Sequence, residues 1–230
     1  METRIINKER KEKFIDLIKK KKETAYFRDG SFITEIILGK TKFIFPNTKI
    51  NKGMWIFRSV MLSAKKYIDN NIVEKKTYYP VNFVNTNFNQ SHYDITATDI
   101  NHAYWRIAFL MGVINQKIYD KGLLLDDKSL RLASLSNLSS KKEYQIIKDG
   151  EITQEYKTLR YNETLHTLYN NIRYTCYEYM SNIATLLGDD FICYKTDCIY
   201  YVDSFKNREI VHNYLNSNNL LYKQLIEDES

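Results

Sequence analysis

The stretch Phe191-Ile192-Cys193-Tyr194-Lys195-Thr196-Asp197-Cys198-Ile199-Tyr200-Tyr201-Val202-Asp203 decides how the rest of the chain is read. Two short runs of β-formers, Phe191–Tyr194 and Ile199–Val202, flank the polar break Lys195-Thr196-Asp197-Cys198. Paired runs of this kind read as a β-hairpin. The break lacks the Asn-Gly or Asp-Gly pair favoured in tight turns and carries a carboxylate at its tip instead. An aspartate held between two apolar strands can present a metal-binding oxygen in a rigid frame. A solvated turn aspartate is the plainer alternative.

Outward from the hairpin, residues 159–187 carry apolar residues at helical steps (Ile172, Cys176, Tyr179, Ile183, Leu187), and Gly188 closes the pattern. A helix near 207–216 and a strand near 220–225 follow it. Upstream, Tyr78–Val84 and Tyr93–Thr98 read as strands, and Ala103–Lys121 as one helix stopped at Gly122. Residues 127–138 suggest a further helix. Asp149-Gly150 marks a hairpin between Tyr144–Ile147 and Ile152–Tyr156, and Asp29-Gly30 another between Thr24–Arg28 and Phe32–Leu38. Residues 3–22 read as a helix, Lys42–Phe45 as a short strand, and Asn51–Asn70 as a helix with an apolar face. The run Lys19–Lys22 could meet phosphate, although such runs are commonly solvated helix ends.

Composition sets the outer bounds. The 230 residues are 43% hydrophobic, enough for a real core, and carry 34 Lys and Arg against 28 Asp and Glu. The excess of basic residues lies mostly in the first 76 residues; it tolerates a polyanion without requiring one. Cys176, Cys193 and Cys198 have no CxxC spacing, and an odd number of thiols without a signal peptide points to a reducing, cytoplasmic setting. The apolar run Ala103–Val113 is interrupted by Arg106 and is too short for a bilayer, so no membrane partner is expected. There is no zinc spacing, no Gly-x-Gly-x-x-Gly, no Gly-Lys-Ser/Thr loop and no Gly-x-Ser-x-Gly. His166 with Cys176 could suggest a thiol nucleophile, but on a helix face Cys176 reads first as a small core residue.

One other segment bears carboxylate chemistry, Asp94-Ile95-Thr96-Ala97-Thr98-Asp99-Ile100-Asn101-His102-Ala103-Tyr104-Trp105. A strand ends near Asp99 and a helix follows, so Asp99 is either a helix cap or a carboxylate at a strand end. Were that strand to lie beside the hairpin, Asp99 and Asp197 would converge. Convergent carboxylates can hold two divalent cations roughly 3.5–4 Å apart for in-line phosphoryl transfer.

Asp99-Ile100-Asn101-His102-Ala103-Tyr104 resembles the palm segment of family B DNA polymerases, an Asp followed five residues later by a Tyr. Lys195-Thr196-Asp197-Cys198, preceded by Tyr194, is similar to that family's Tyr-x-Asp-Thr-Asp-Ser hairpin, with the variable residue dropped. Lys195 stands for the first hairpin Asp, Cys198 for the Ser, and Trp105 for a proline. The resemblance covers about residues 93–225; Lys128–Asn137 is a faint echo of the fingers helix.

This resemblance implies an α+β fold, a palm-like antiparallel sheet with helices packed on one face over 77–230. It includes a reduced fingers insertion at about 122–160. Residues 1–76 would form an N-terminal extension with helices and a small hairpin. It further implies catalytic and metal-binding roles for Asp99 and Asp197, with two Mg²⁺ or Mn²⁺ ions, and a nucleotide floor at Tyr104. Lys128 and Arg131 would receive phosphates, and Lys195 would modulate the site. The implied activity is DNA synthesis by nucleotidyl transfer. Its partners would be DNA or other nucleic acid, dNTP, and another protein chain supplying the missing thumb or fingers, as would suit a phage. An inactive polymerase-derived protein that binds nucleic acid or serves a structural or regulatory role is the alternative.

Overall fold

The computed structural model describes residues 2–30, 33–46, 54–88, 94–125 and 127–225. In chain order these form β1 (Glu2–Ile5), α1 (Lys11–Lys21), β2 (Ala25–Asp29), β3 (Ile33–Leu38), β4 (Thr41–Pro46) and α2 (Met54–Asn70). Next come β5 (Asn82–Val84), β6 (Ile95–Ile100), α3 (Ala103–Leu110), α4 (Gln116–Leu123) and α5 (Lys128–Ser136). The rest are β7 (Lys142–Lys148), β8 (Glu151–Arg160), α6 (Glu163–Leu187), β9 (Phe191–Lys195), β10 (Cys198–Val202), α7 (Phe205–Ser217) and β11 (Tyr222–Leu225). The fold is α+β, with two largely antiparallel sheets in two units, Met1–Trp55 with Ser140–Asn162 and Ile56–Ser139 with Glu163–Ser230.

In the first unit the sheet runs β1-β4-β3-β2-β7-β8. Of the two Asp-Gly signals, the one at Asp149-Gly150 has its physical basis in the backbone, with φ of 52° and 86°. That pair of positive values is what a two-residue hairpin turn demands. Ile15 and Ile18 of α1 are buried on Ala25, Phe27, Ile36, Phe45 and Ile147, with Phe14 against the rings of Phe43 and Phe45. Each fully buried side chain of this size contributes about 2 kcal/mol. Glu35 is buried on β3 and is surrounded by Lys42, Lys142, Arg28 and the Tyr144 hydroxyl.

Two expectations change here. The helix read over 3–22 starts only at Lys11, because residues 2–5 form a strand parallel to β4. That pairing spans nearly forty residues of chain, and no local periodicity reports it. Residues 142–160, read within a fingers insertion, instead extend the first unit's sheet through β7 against β2. The sequence reading draws one boundary at residue 76, whereas the chain passes between units after Trp55, Ser139 and Asn162.

The second unit has the sheet order β11-β6-β10-β9-β5, every neighbour antiparallel. Gln224, Thr98, Ile199, Tyr194 and Phe83 face one another in register across it. Paired residues share a sheet face, and α6 and α7 cover this one. Ala184 and Thr185 of α6 line a hollow with Phe83 and Tyr194, while His212 of α7 is hydrogen-bonded to Gln224 at 3.0 Å.

The helix read over 103–121 is two helices. Gly112, at φ 76°, ends α3: its N–H donates to the Phe109 carbonyl (2.8 Å) and that of Val113 to the Ala108 carbonyl (2.9 Å). This double closure is the glycine-terminated helix cap. It lets Val113 and Ile114 turn fully inward, and the Asn115 side chain then caps α4 by accepting from the Ile118 N–H. Gly122 lies inside α4 rather than ending it, packed under the buried Trp105. The strand read over 78–84 is confined to Asn82–Val84, and in the strand read over 93–98 Tyr93 lies outside the described residues.

Candidate functional site

The β9–β10 turn consists of Thr196 and Asp197. Thr196 takes φ 59°, a left-handed conformation that a β-branched residue adopts at a cost on the order of 1–3 kcal/mol. Neighbours hold it there. Its N–H donates to the Val81 carbonyl at 2.9 Å, and its carbonyl accepts from the Cys176 thiol at 3.7 Å. Cys176, wholly buried on α6, is thus a prop for the turn.

Asp197 and Asp99 meet at this turn. The Ile100 N–H donates to the Asp197 carbonyl at 2.9 Å, and Asp99 faces Cys198 directly across the β6–β10 ladder. Electrostatics report the same proximity. Burial pushes the Asp197 carboxyl up and the charge on Asp99 pushes it further, while Lys128 and Lys223 pull it partly back. Burial raises the Cys176 thiol well above its usual value, with both aspartates adding to the effect. Cys198 is pushed up to about 11, by burial first, and so stays a neutral thiol. Asp99 does not cap α3; His102 occupies the cap position.

A cavity of about 140 Å³ adjoins Asp197 and is lined by it with Thr196, Tyr104, His102, Lys128 and Arg131 among others. Five non-glycine residues among those described have positive φ, and two of them, Thr196 and His102 (φ 54°), line this one cavity. Backbone strain of this kind concentrates where a fold must hold groups in place. The Tyr104 hydroxyl is fixed 2.8 Å from that of Tyr177, and burial raises its phenol. Lys128 begins α5, exposed at the rim, with Asp127 capping that helix.

Arg131 is differently employed. It is buried, and its guanidinium donates to the carbonyls of Gly122 (3.0 Å) and Leu125 (2.8 Å) and to His102 Nδ1 (3.3 Å). Arginine only donates, so Nδ1 must accept and the neutral ring carries its proton on Nε2. Burial lowers the His102 pKa, and the positive charges of Arg131 and Lys128 lower it further. The cavity wall therefore holds a neutral histidine secured by a structural arginine. Lys195 is exposed, its ammonium 5.9 Å from the centre of the Tyr200 ring.

Comparison with family models, curated proteins and solved structures returns no match. What the site can do rests on its own chemistry. Among the described residues no third His, Cys, Asp or Glu joins the aspartates in a metal-binding group, and no helix is long and apolar enough to cross a membrane. The donor set nevertheless fits a hard divalent cation. Burial and the neighbouring charge of Asp99 both raise the Asp197 carboxyl, so a cation beside it is favoured, and Mg²⁺ commonly takes one or two carboxylates with waters and phosphate oxygens.

The sequence singled out Asp99, Asp197, Tyr104, Lys128 and Arg131, all of which belong to this neighbourhood. It missed Lys223, whose Nζ lies 3.5 Å from Asp99 Oδ2. No motif marks that lysine; only the pairing of β11 with β6 does.

Proposed function

We propose that this chain is a reduced polymerase-type nucleotidyltransferase that uses nucleic acid and a nucleoside triphosphate. The reading is supported above all by one observation: Asp99 and Asp197, 98 positions apart in sequence, adjoin on one sheet beside a cavity rimmed by Tyr104 and Lys128. The motif likeness to family B polymerases adds the reaction class.

In this mechanism Asp99 and Asp197 hold Mg²⁺ or Mn²⁺. Bound there, such an ion would supply Lewis acidity toward a 3′-hydroxyl and toward phosphate oxygens. Tyr104, immobilised by Tyr177, forms a floor for the sugar. Lys128 at the rim meets phosphate. His102 offers a neutral N–H donor, and Arg131 serves by fixing that ring. A reaction on nucleotides with three thiols in no disulfide suits the cytoplasm.

A second reading has specific support. Asp99 already has an ion-pair partner in Lys223, and Arg131 is bonded to protein carbonyls, as expected of a polymerase relic that binds nucleic acid without chemistry. Extension of a labelled hairpin primer separates the two. Wild-type protein with Mg²⁺ extends it, and Asp99→Ala and Asp197→Ala fall to background. Equal extension by Asp99→Ala would sink the proposal. Absence of extension, with salt-sensitive DNA binding that survives both substitutions, would establish the relic.

A further inference from the structure

Lys223, Asp99, Cys198 and Lys195 stand in one register row across β11, β6, β10 and β9, on the sheet face opposite α6 and α7. Adjacent strands are about 4.8 Å apart, which puts the Lys195 backbone roughly 10 Å from that of Asp99 and Lys223 on the neighbouring strand. Of the two lysines, Lys223 makes the ion pair, 3.5 Å from Asp99 Oδ2.

We infer that the site takes one divalent cation, with the Lys223 ammonium occupying the place of a second. The inference rests on the catalytic reading of Asp99 and Asp197 and replaces the two ions implied by the family resemblance. Charge counting carries it. Two divalent cations within 4 Å repel strongly and need several anionic ligands between them. Here, among the described residues, two carboxylates meet and no third His, Cys, Asp or Glu is grouped with them. One divalent ion balances that pair. A second would enter where Lys223 already answers Asp99 and where Lys128 adds its charge near Asp197. An ammonium on a flexible stem still does part of what the missing ion would do, holding the Asp99 carboxylate in one orientation and opposing charge that develops beside it. Lys223 is thus a positioning residue for the metal-binding carboxylate.

Mn²⁺ titration of the full chain, with free Mn²⁺ read by electron paramagnetic resonance, tests this without turnover. Wild-type protein is expected to take up one Mn²⁺ and show no coupling between bound ions. Asp197→Ala takes up none. Lys223→Met, which keeps the stem and loses the charge, takes up a second ion or holds the first roughly tenfold more tightly. Lys223→Arg and Lys195→Met, both folded by circular dichroism, keep wild-type stoichiometry. Two coupled Mn²⁺ ions in wild type, or a Lys223→Met curve that is unchanged or weaker, would overturn the inference while leaving the polymerase reading intact. No uptake by wild type would remove both.

Discussion

Replacing Glu35 with Gln tests how the first unit is held together. The carboxylate is 1% exposed and faces Lys42, Lys142 at 3.1 Å, Arg28 at 3.3 Å and the Tyr144 hydroxyl at 2.9 Å. Burial by itself would raise its pKa; the charge of Lys142 and the charge and hydrogen bond of Lys42 outweigh that and bring it to about 2 from 4.5. A shift of this size is worth roughly 3 kcal/mol at neutral pH. Glu35→Gln keeps the shape, removes the charge, and leaves the ammonium groups of Lys42 and Lys142 facing one another in a largely buried place. The sign follows from the depressed pKa. The stabilisation is fully present above the unfolded-state value and is lost as pH falls through the folded one. At pH 3 the wild-type advantage should therefore shrink to about half or less of its neutral value. Urea unfolding of both proteins at pH 7 and pH 3 measures it. A loss below about 1 kcal/mol at pH 7, or one that does not diminish at pH 3, would refute the reasoning.

Gly122→Ala should destabilise the second unit by about 1–3 kcal/mol, since the added Cβ would fall 2.3 Å from Trp105 Cζ2. Trp105 has little room to yield, being 1% exposed and bonded through Nε1 to the Tyr119 carbonyl; a raised urea midpoint would contradict this. Asp197→Asn should stabilise the metal-free protein near pH 8. A carboxyl whose folded pKa is raised costs stability as pH rises through that value, and the variant has no such proton to lose. Its advantage should vanish at pH 3, and added Mn²⁺ should raise the melting temperature of wild type alone; a variant less stable at pH 8 would count against the electrostatic account.

Local chemistry was legible where it was strong. The Asp149-Gly150 turn, the β9–β10 hairpin and the long α6 could all be read from short-range patterns, because turn dihedrals and helical periodicity are properties of neighbouring residues. The break in 103–121 was also written in the sequence, at Gly112, but an apolar run on both sides masks a helix stop. Arg131 looked like a free cation, and only packing reveals that its guanidinium is spent on carbonyls and His102.

By itself the sequence determined that Asp197 sits at a hairpin tip and that Asp99 closes a strand before a helix, since propensity and turn chemistry act within a few residues. Tertiary structure alone decided that the two adjoin, that β11 brings Lys223 to Asp99, and that 142–160 belong with the N-terminal strands. Strand pairing is the reason. It joins backbone groups any distance apart in the chain, and the side chains it makes neighbours carry no mark of one another beforehand.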